Sequence, residues 1–140
     1  MSLTDGRLRS AELGARGRLV KLLLVDDHVE LAENLAEILE SAGATCEVAD
    51  SAEAALERLA AKPFQGLITD LRLPGSSGVD LIARIRAQGG SLPIVLLSAF
   101  ATEEVVEQAE AAGAAMVLPK PVDVTRLLEF VHRIGEARSG

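Results

Sequence analysis

Residues 22–30 read LLLVDDHVE: a run of four apolar residues ends abruptly in two adjacent aspartates, Asp26 and Asp27. An uninterrupted apolar run of this length is the pattern of a strand buried on both faces, and such strands belong to parallel sheets covered by helices on either side. The same pattern recurs at Ala44–Ala49, Gly66–Thr69, Pro93–Leu97 and Ala114–Leu118, with the first strand at Leu22–Val25, and each run is followed by a stretch of helical period. Strand and helix thus alternate five times, which makes the fold class α/β, a single parallel sheet built from (βα)5.

The helices follow from spacing. In the first, Leu31, Leu35, Ile38, Leu39 and Ala42 form an apolar stripe opposite Glu30, Glu33, Glu37 and Glu40, and Gly43 stops it. The second starts after Ser51, an N-cap residue, and buries Ala52, Ala55, Leu56 and Leu59 before Pro63. The third uses Leu81, Ile82 and Ile85 and ends by Gly89-Gly90; the fourth begins at Thr102, buries Val105, Ala109 and Ala112, and stops at Gly113. The last runs from about Asp123 and buries Leu127, Leu128, Val131 and Ile134.

A chain of 140 residues fits one domain and buries roughly 68–70% of its unfolded surface. With 49% hydrophobic and 25% charged residues its composition is that of a globular protein. Trp and Tyr are absent and Phe64, Phe100 and Phe130 are the only aromatics, so the core is aliphatic. The single cysteine, Cys46, excludes an intrachain disulfide and reads as packing. No apolar run reaches the roughly 18 residues of a membrane span and no signal region opens the chain, which sets a cytoplasmic expectation without membrane contact.

Charge is uneven. Residues 1–21 hold Arg7, Arg9, Arg16, Arg18 and Lys21 against Asp5 and Glu12, so of the net −7 the remainder carries −10. An acidic body is ill-suited to nucleic acid phosphates, so direct binding of nucleic acid is not expected. The division read from the sequence is residues 1–19 as a basic linker or tail, 20–137 as the folded domain and 138–140 as a tail. The chain either stands alone or is cut from a longer one, and the linker-like start mildly favours an upstream domain or excision.

In open parallel sheets the binding crevice lies at the carboxyl ends of the strands. The polar residues there are Asp26 and Asp27 after the first strand, Asp70 after the third, Ser98 after the fourth and Lys120 after the fifth. Three carboxylates in one crevice repel one another unless a cation neutralises them, and hard oxygen ligands with room for water and phosphate oxygens select Mg2+. A lysine and a hydroxyl opposite the metal could hold a phosphoryl group while Asp70 accepts it. Taken singly, each has a plainer use: Asp26 and Asp27 as helix cap and solvated neighbour, Asp70 as turn-former, Ser98 as loop hydroxyl, Lys120 as surface cation. It is their joint placement at four of five strand ends that carries the reading. His28 is expected to start the first helix, since imidazole is a poor ligand in an oxygen-rich Mg2+ site.

With LLLVDDH, LITDLRLPGSSGVDLIARIR, PIVLLSA and LPKP, residues 20–137 resemble the receiver domains of bacterial two-component response regulators. The resemblance implies a doubly wound five-stranded sheet in the order 2-1-3-4-5. It implies that Asp26, Asp27 and Asp70, with the backbone carbonyl of Arg72, hold Mg2+. It further implies that Asp70 takes the phosphoryl group from a phosphohistidine, that Ser98 hydrogen-bonds the acyl phosphate, and that Lys120 pairs with it across a cis Lys120-Pro121 bond. Gly78 would shape the loop before the third helix. The implied partners are a histidine kinase or phosphotransfer protein near the first helix, an output partner of unknown identity near the last two helices and, at most, a weak homodimer. Such a protein catalyses only its own phosphorylation and dephosphorylation, so it is not an enzyme in the usual sense. The chain departs from relatives at Val117, where a Tyr or Phe commonly stands; Phe100 is then the residue expected to shield the site or share that role.

Two enzyme classes fit poorly. An aspartyl phosphatase of the haloacid dehalogenase type needs a second carboxylate two residues beyond the nucleophile, where Arg72 stands. A dinucleotide enzyme needs a Gly-rich turn after the first strand, where DDH stands.

Overall fold

The computed structural model describes residues 20–139, with side chains up to Glu136; the basic segment 1–19 lies outside the described residues. Five parallel strands, β1 (Val20–Val25), β2 (Ala44–Ala49), β3 (Gly66–Asp70), β4 (Ile94–Ser98) and β5 (Met116–Pro119), form one sheet in the order β2-β1-β3-β4-β5. The helices are α1 (Val29–Ser41), α2 (Ala52–Ala61), α3 (Gly78–Ala87), α4 (Glu103–Ala112) and α5 (Val124–Ser139). The strand order reverses between β1 and β3, which places the switch point of the doubly wound sheet beside Asp26 and Asp70.

The alternation of side chains along β1 divides the core. Leu22 and Leu24 face one layer with Ala36 and Leu39 of α1 and Leu127, Phe130 and Ile134 of α5. Leu23 and Val25 face the other, with Ala52 and Ala55 of α2, Leu81, Ile82 and Ile85 of α3 and Ala109 of α4. No helix among the described residues is long and apolar enough to cross a membrane.

The strand boundaries move slightly from those read in the sequence. Pro93 has no N–H to give the ladder and lies just before β4. Ala114 closes α4 through its N–H on the Ala109 carbonyl at 2.9 Å, so β5 begins only at Met116. Ser51, Ser77 and Thr102 cap α2, α3 and α4 by accepting the backbone N–H three residues on.

One helix turns differently from expectation. In α1 the buried residues are Ala32, Ala36 and Leu39, with Leu35 partly buried, whereas Leu31 is 62% and Ile38 41% exposed. The stripe read from the sequence and the one that is buried overlap at Leu35 and Leu39 and differ by less than one residue's turn of about 100°. The sheet has taken the one carrying two alanines, whose small side chains let the helix approach closely, and two large aliphatic residues are left facing outward.

α4 is lightly packed, with only Ala109 fully buried. Its C-terminus is tied instead by Arg86 of α3, whose guanidinium donates to the Gly113 carbonyl at 2.7 Å and to the Gly90 carbonyl at 3.1 Å. Gly113 itself adopts the left-handed conformation, φ +118°, that ends the helix.

On the edge strand β2, Glu47 meets Lys62 at 2.6 Å and Lys21 and Arg58 at 3.2 Å each. The hydrogen bond from Lys62, with Lys21 adding to it, holds the Glu47 carboxyl below the usual glutamate range. On the same strand, burial pushes the Cys46 thiol up to about 12, with the Glu40 carboxylate contributing, so the sulfur stays protonated and unreactive. A carboxyl with a depressed folded-state pKa stabilises the fold above its unfolded value and loses that contribution as pH falls through the folded one. Glu47→Gln is therefore expected to lower the melting temperature at neutral pH, with the gap to wild type closing in acid; thermal melts across a pH series check this.

Candidate functional site

The carboxyl ends of β1, β3, β4 and β5 open into a cleft of about 430 Å³ lined by Asp27, His28, Asp70, Arg72, Ser98, Phe100 and Lys120, together with the intervening loop residues. Asp70 is the last residue of β3, paired in register with Leu97, and its side chain is only 11% exposed. Ser98, the last residue of β4, is buried. Lys120 follows β5 and joins the ladder through its N–H on the Ser98 carbonyl at 2.9 Å. Its ammonium stands 2.8 Å from Asp70 Oδ1 and 4.0 Å from Asp26 Oδ2, so it links two of the three acids. The Lys120-Pro121 bond is cis.

Asp26 and Asp27 end the β1 run. Asp26 Oδ1 accepts the His28 N–H at 2.9 Å, and His28 occupies the N-cap position of α1, the place read for it in the sequence. The imidazole adds something the sequence reading passed over: His28 Nδ1 lies 3.4 Å from Asp26 Oδ1 and 3.4 Å from Asp27 Oδ1, an ion pair open to the protonated ring. Ligand atoms of Asp26, Asp27 and His28 fall within 4.8 Å of one another, an acidic cluster at the rim of the cleft. Asp70 stands outside that group, held by Lys120.

The segment after Asp70 folds more tightly than a simple turn. Arg72 pairs with Ser77 and Leu73 with Ser76 in a short antiparallel hairpin around Pro74-Gly75, where Gly75 takes φ +67°, as a type II turn requires. Gly78 then passes directly against the acceptor: a Cβ there would clash with the Asp70 carbonyl oxygen and would lie 2.6 Å from Leu96 Cδ1. Its N–H donates to the Leu71 carbonyl at 2.7 Å.

At the mouth, Arg72 places its guanidinium carbon 5.1 Å from the centre of the Phe100 ring. Phe100 is 58% exposed, and its N–H donates to Ser98 Oγ at 2.9 Å. Val117 is half-buried among the residues flanking the α2–α3–α4 layer of the core. A larger hollow of about 690 Å³ opens beneath Phe64, Pro93 and Ile134, but among the described residues Lys62 is the only titratable side chain lining it.

The sequence profile of the response regulator receiver domain matches residues 22–132. The chain belongs to that family. Receiver domains are the phosphoacceptor signalling modules of two-component systems. The chain is 37% identical over 118 residues to the response regulator protein FleR of Pseudomonas aeruginosa, covering 83% of this chain and 25% of FleR. To the sensory/regulatory protein RpfC of Xanthomonas campestris it is 35% identical over 119 residues, 82% of this chain and 16% of RpfC. The chain thus spans a quarter or less of the length of these relatives. Among solved structures, the receiver domain of NtrX from Brucella abortus superposes with a TM-score of 0.75 at 30% identity, covering 82% of this chain and 98% of that one. A CheY-like receiver domain protein from Methanospirillum hungatei gives 0.79 at 25% identity, covering 86% and 97%.

Because Gly78 has no room for a side chain against the acceptor's backbone, Gly78→Ala is expected to cost about 1–3 kcal/mol, the usual range for overpacking. Chemical denaturation of the variant against wild type measures it.

Proposed function

We propose that this receiver domain is a phosphoacceptor switch in which Asp70 takes the phosphoryl group of a phosphohistidine. The observation that carries the reading is the 2.8 Å contact of Lys120 with a nearly buried Asp70 carboxylate, on the sheet edge where Ser98 ends the neighbouring strand. Lys120 holds Oδ1, so the attack on phosphorus falls to Oδ2; the P–N bond to the donor imidazole breaks as the P–O bond forms, and the imidazole takes up a proton. Ser98 accepts from the Phe100 N–H and keeps its own O–H to donate to a phosphoryl oxygen. Lys120 then offsets the charge gained on the acyl phosphate.

Asp26, Asp27 and Asp70, with the Arg72 carbonyl, supply hard oxygen donors and only one lysine among them, a donor set suited to Mg2+. Bound there, the metal would neutralise charge on the transferred group. The charge gained at Asp70 would shift a two-state equilibrium of the nearby loops through Ser98 and Lys120.

The donor is a histidine kinase or phosphotransfer protein, and its docking place is the outer face of α1. Leu31 and Ile38 are exposed there, and Glu30 and Glu37 run along one side of them. An exposed apolar pair with an acidic row on one side fits a helical partner whose apolar surface has a basic edge. Control of an attached or separate output completes the role, and the domain itself needs no contact with nucleic acid.

Incubation with acetyl phosphate and Mg2+ is expected to add one phosphoryl group, read by mass spectrometry, and Asp70→Asn is expected to add none. A wild-type protein that stays unmodified by acetyl phosphate and by a competent phosphohistidine donor refutes the reading. Leu31→Glu is expected to slow transfer from a phosphotransfer domain on the order of tenfold, the scale of a lost interface anchor, while its rate with acetyl phosphate matches wild type; stopped-time gels with both donors separate the two.

A further inference from the structure

Two side chains at the mouth of the cleft have no part in the transfer chemistry. Arg72 lays its guanidinium on the Phe100 ring, 5.1 Å from the centroid, and the ring is 58% exposed although the other two phenylalanines, Phe64 and Phe130, are buried. The Phe100 N–H is bound to Ser98 Oγ at 2.9 Å. One residue is therefore connected to two groups beside the acceptor, by its ring to an exposed cation and by its backbone to the hydroxyl. Phe100 also belongs to the 99–102 loop that leads into α4, whose single fully buried residue is Ala109. On β5, Val117 carries no ring to move.

We propose that the Arg72–Phe100 stack is the conformational reporter of this receiver domain: a phosphoryl group on Asp70 draws the Arg72 guanidinium off the ring and sets Phe100 and its loop in motion. The inference rests on the phosphoacceptor reading above. The competition for Arg72 is one-sided. A phosphoryl group brings about −1.5 to −2 charge and matches the planar guanidinium fork with two charge-assisted bonds, whereas the ring offers only its quadrupole at an exposed site. Ser98 acts in the same direction. When Ser98 Oγ shifts toward the phosphoryl oxygen to which it donates, the Phe100 N–H bound to that Oγ at 2.9 Å is drawn after it. Arg72 is thus a positioning residue acting through Phe100, and Phe100 supplies the movable aromatic that Val117 cannot.

Grown with para-fluorophenylalanine, the full chain carries three fluorine labels, at Phe64, Phe100 and Phe130, and Phe100→Leu assigns the signal of interest. Beryllofluoride with Mg2+ serves as the phosphoryl mimic, and its own bound fluorines report occupancy in the same fluorine spectrum. The expected result is a bound-fluoride signal together with a shift of the Phe100 signal, while those of Phe64 and Phe130 stay in place. In Arg72→Gln without beryllofluoride, the Phe100 signal is expected to start displaced toward its beryllofluoride-bound wild-type position. Bound fluoride with an unmoved Phe100 signal overturns the inference alone, as does a Phe100 signal that ignores Arg72→Gln. Absence of bound fluoride in wild type overturns the phosphoacceptor reading and this inference with it.

Discussion

The ion pair of Asp70 with Lys120 is the constraint around which the carboxyl edge of the sheet is arranged. A carboxylate with only 11% of its side chain exposed needs a compensating charge, and the ammonium that supplies it comes from two strands away, across the end of β4. The backbone makes the crossing possible. Leu71 donates to the Leu97 carbonyl and Lys120 to the Ser98 carbonyl, so both partners are held on the same ladder that aligns the strands. Burying Ser98 between them follows from its place as the terminal residue of β4, which lies between β3 and β5.

Much of this was legible in the chain because chemistry interrupts hydrophobicity there. Four of the five apolar runs stop at Asp26, Asp70, Ser98 or near Lys120, and parallel strands stop on one side of a sheet. The helices with a single apolar stripe, such as the one carrying Leu81, Ile82 and Ile85, also fell where their spacing put them. α1 did not, because it carries two overlapping stripes and the choice depended on how closely the helix could approach the sheet. A count of apolar residues favours Leu31 and Ile38; the space over β1 and β2 favours Ala32 and Ala36.

Contacts between loops left no periodic signal at all. Arg72 and Phe100 lie on separate loops with a whole helix and strand between them, and neither residue type predicts the other. The three cations gathered on Glu47 come from β1, α2 and the residue that caps α2, and the folded edge of the sheet brings them together. The hairpin after Asp70 was visible as a Pro-Gly turn, but its pairing, and the tight pass of Gly78 beneath the acceptor's carbonyl, depend on distances that a one-dimensional pattern does not encode.

The Arg86 tie at the far end of α4 gives that helix two unequal ends. At Gly113 a guanidinium anchors the last carbonyl, while the first turn hangs from a short loop and a threonine cap. A body pinned at one end and pushed at the other swings rather than slides. Small displacements near Thr102 would thus be converted into a tilt of the whole acidic flank bearing Glu103, Glu107 and Glu110, with Arg86 as the fulcrum.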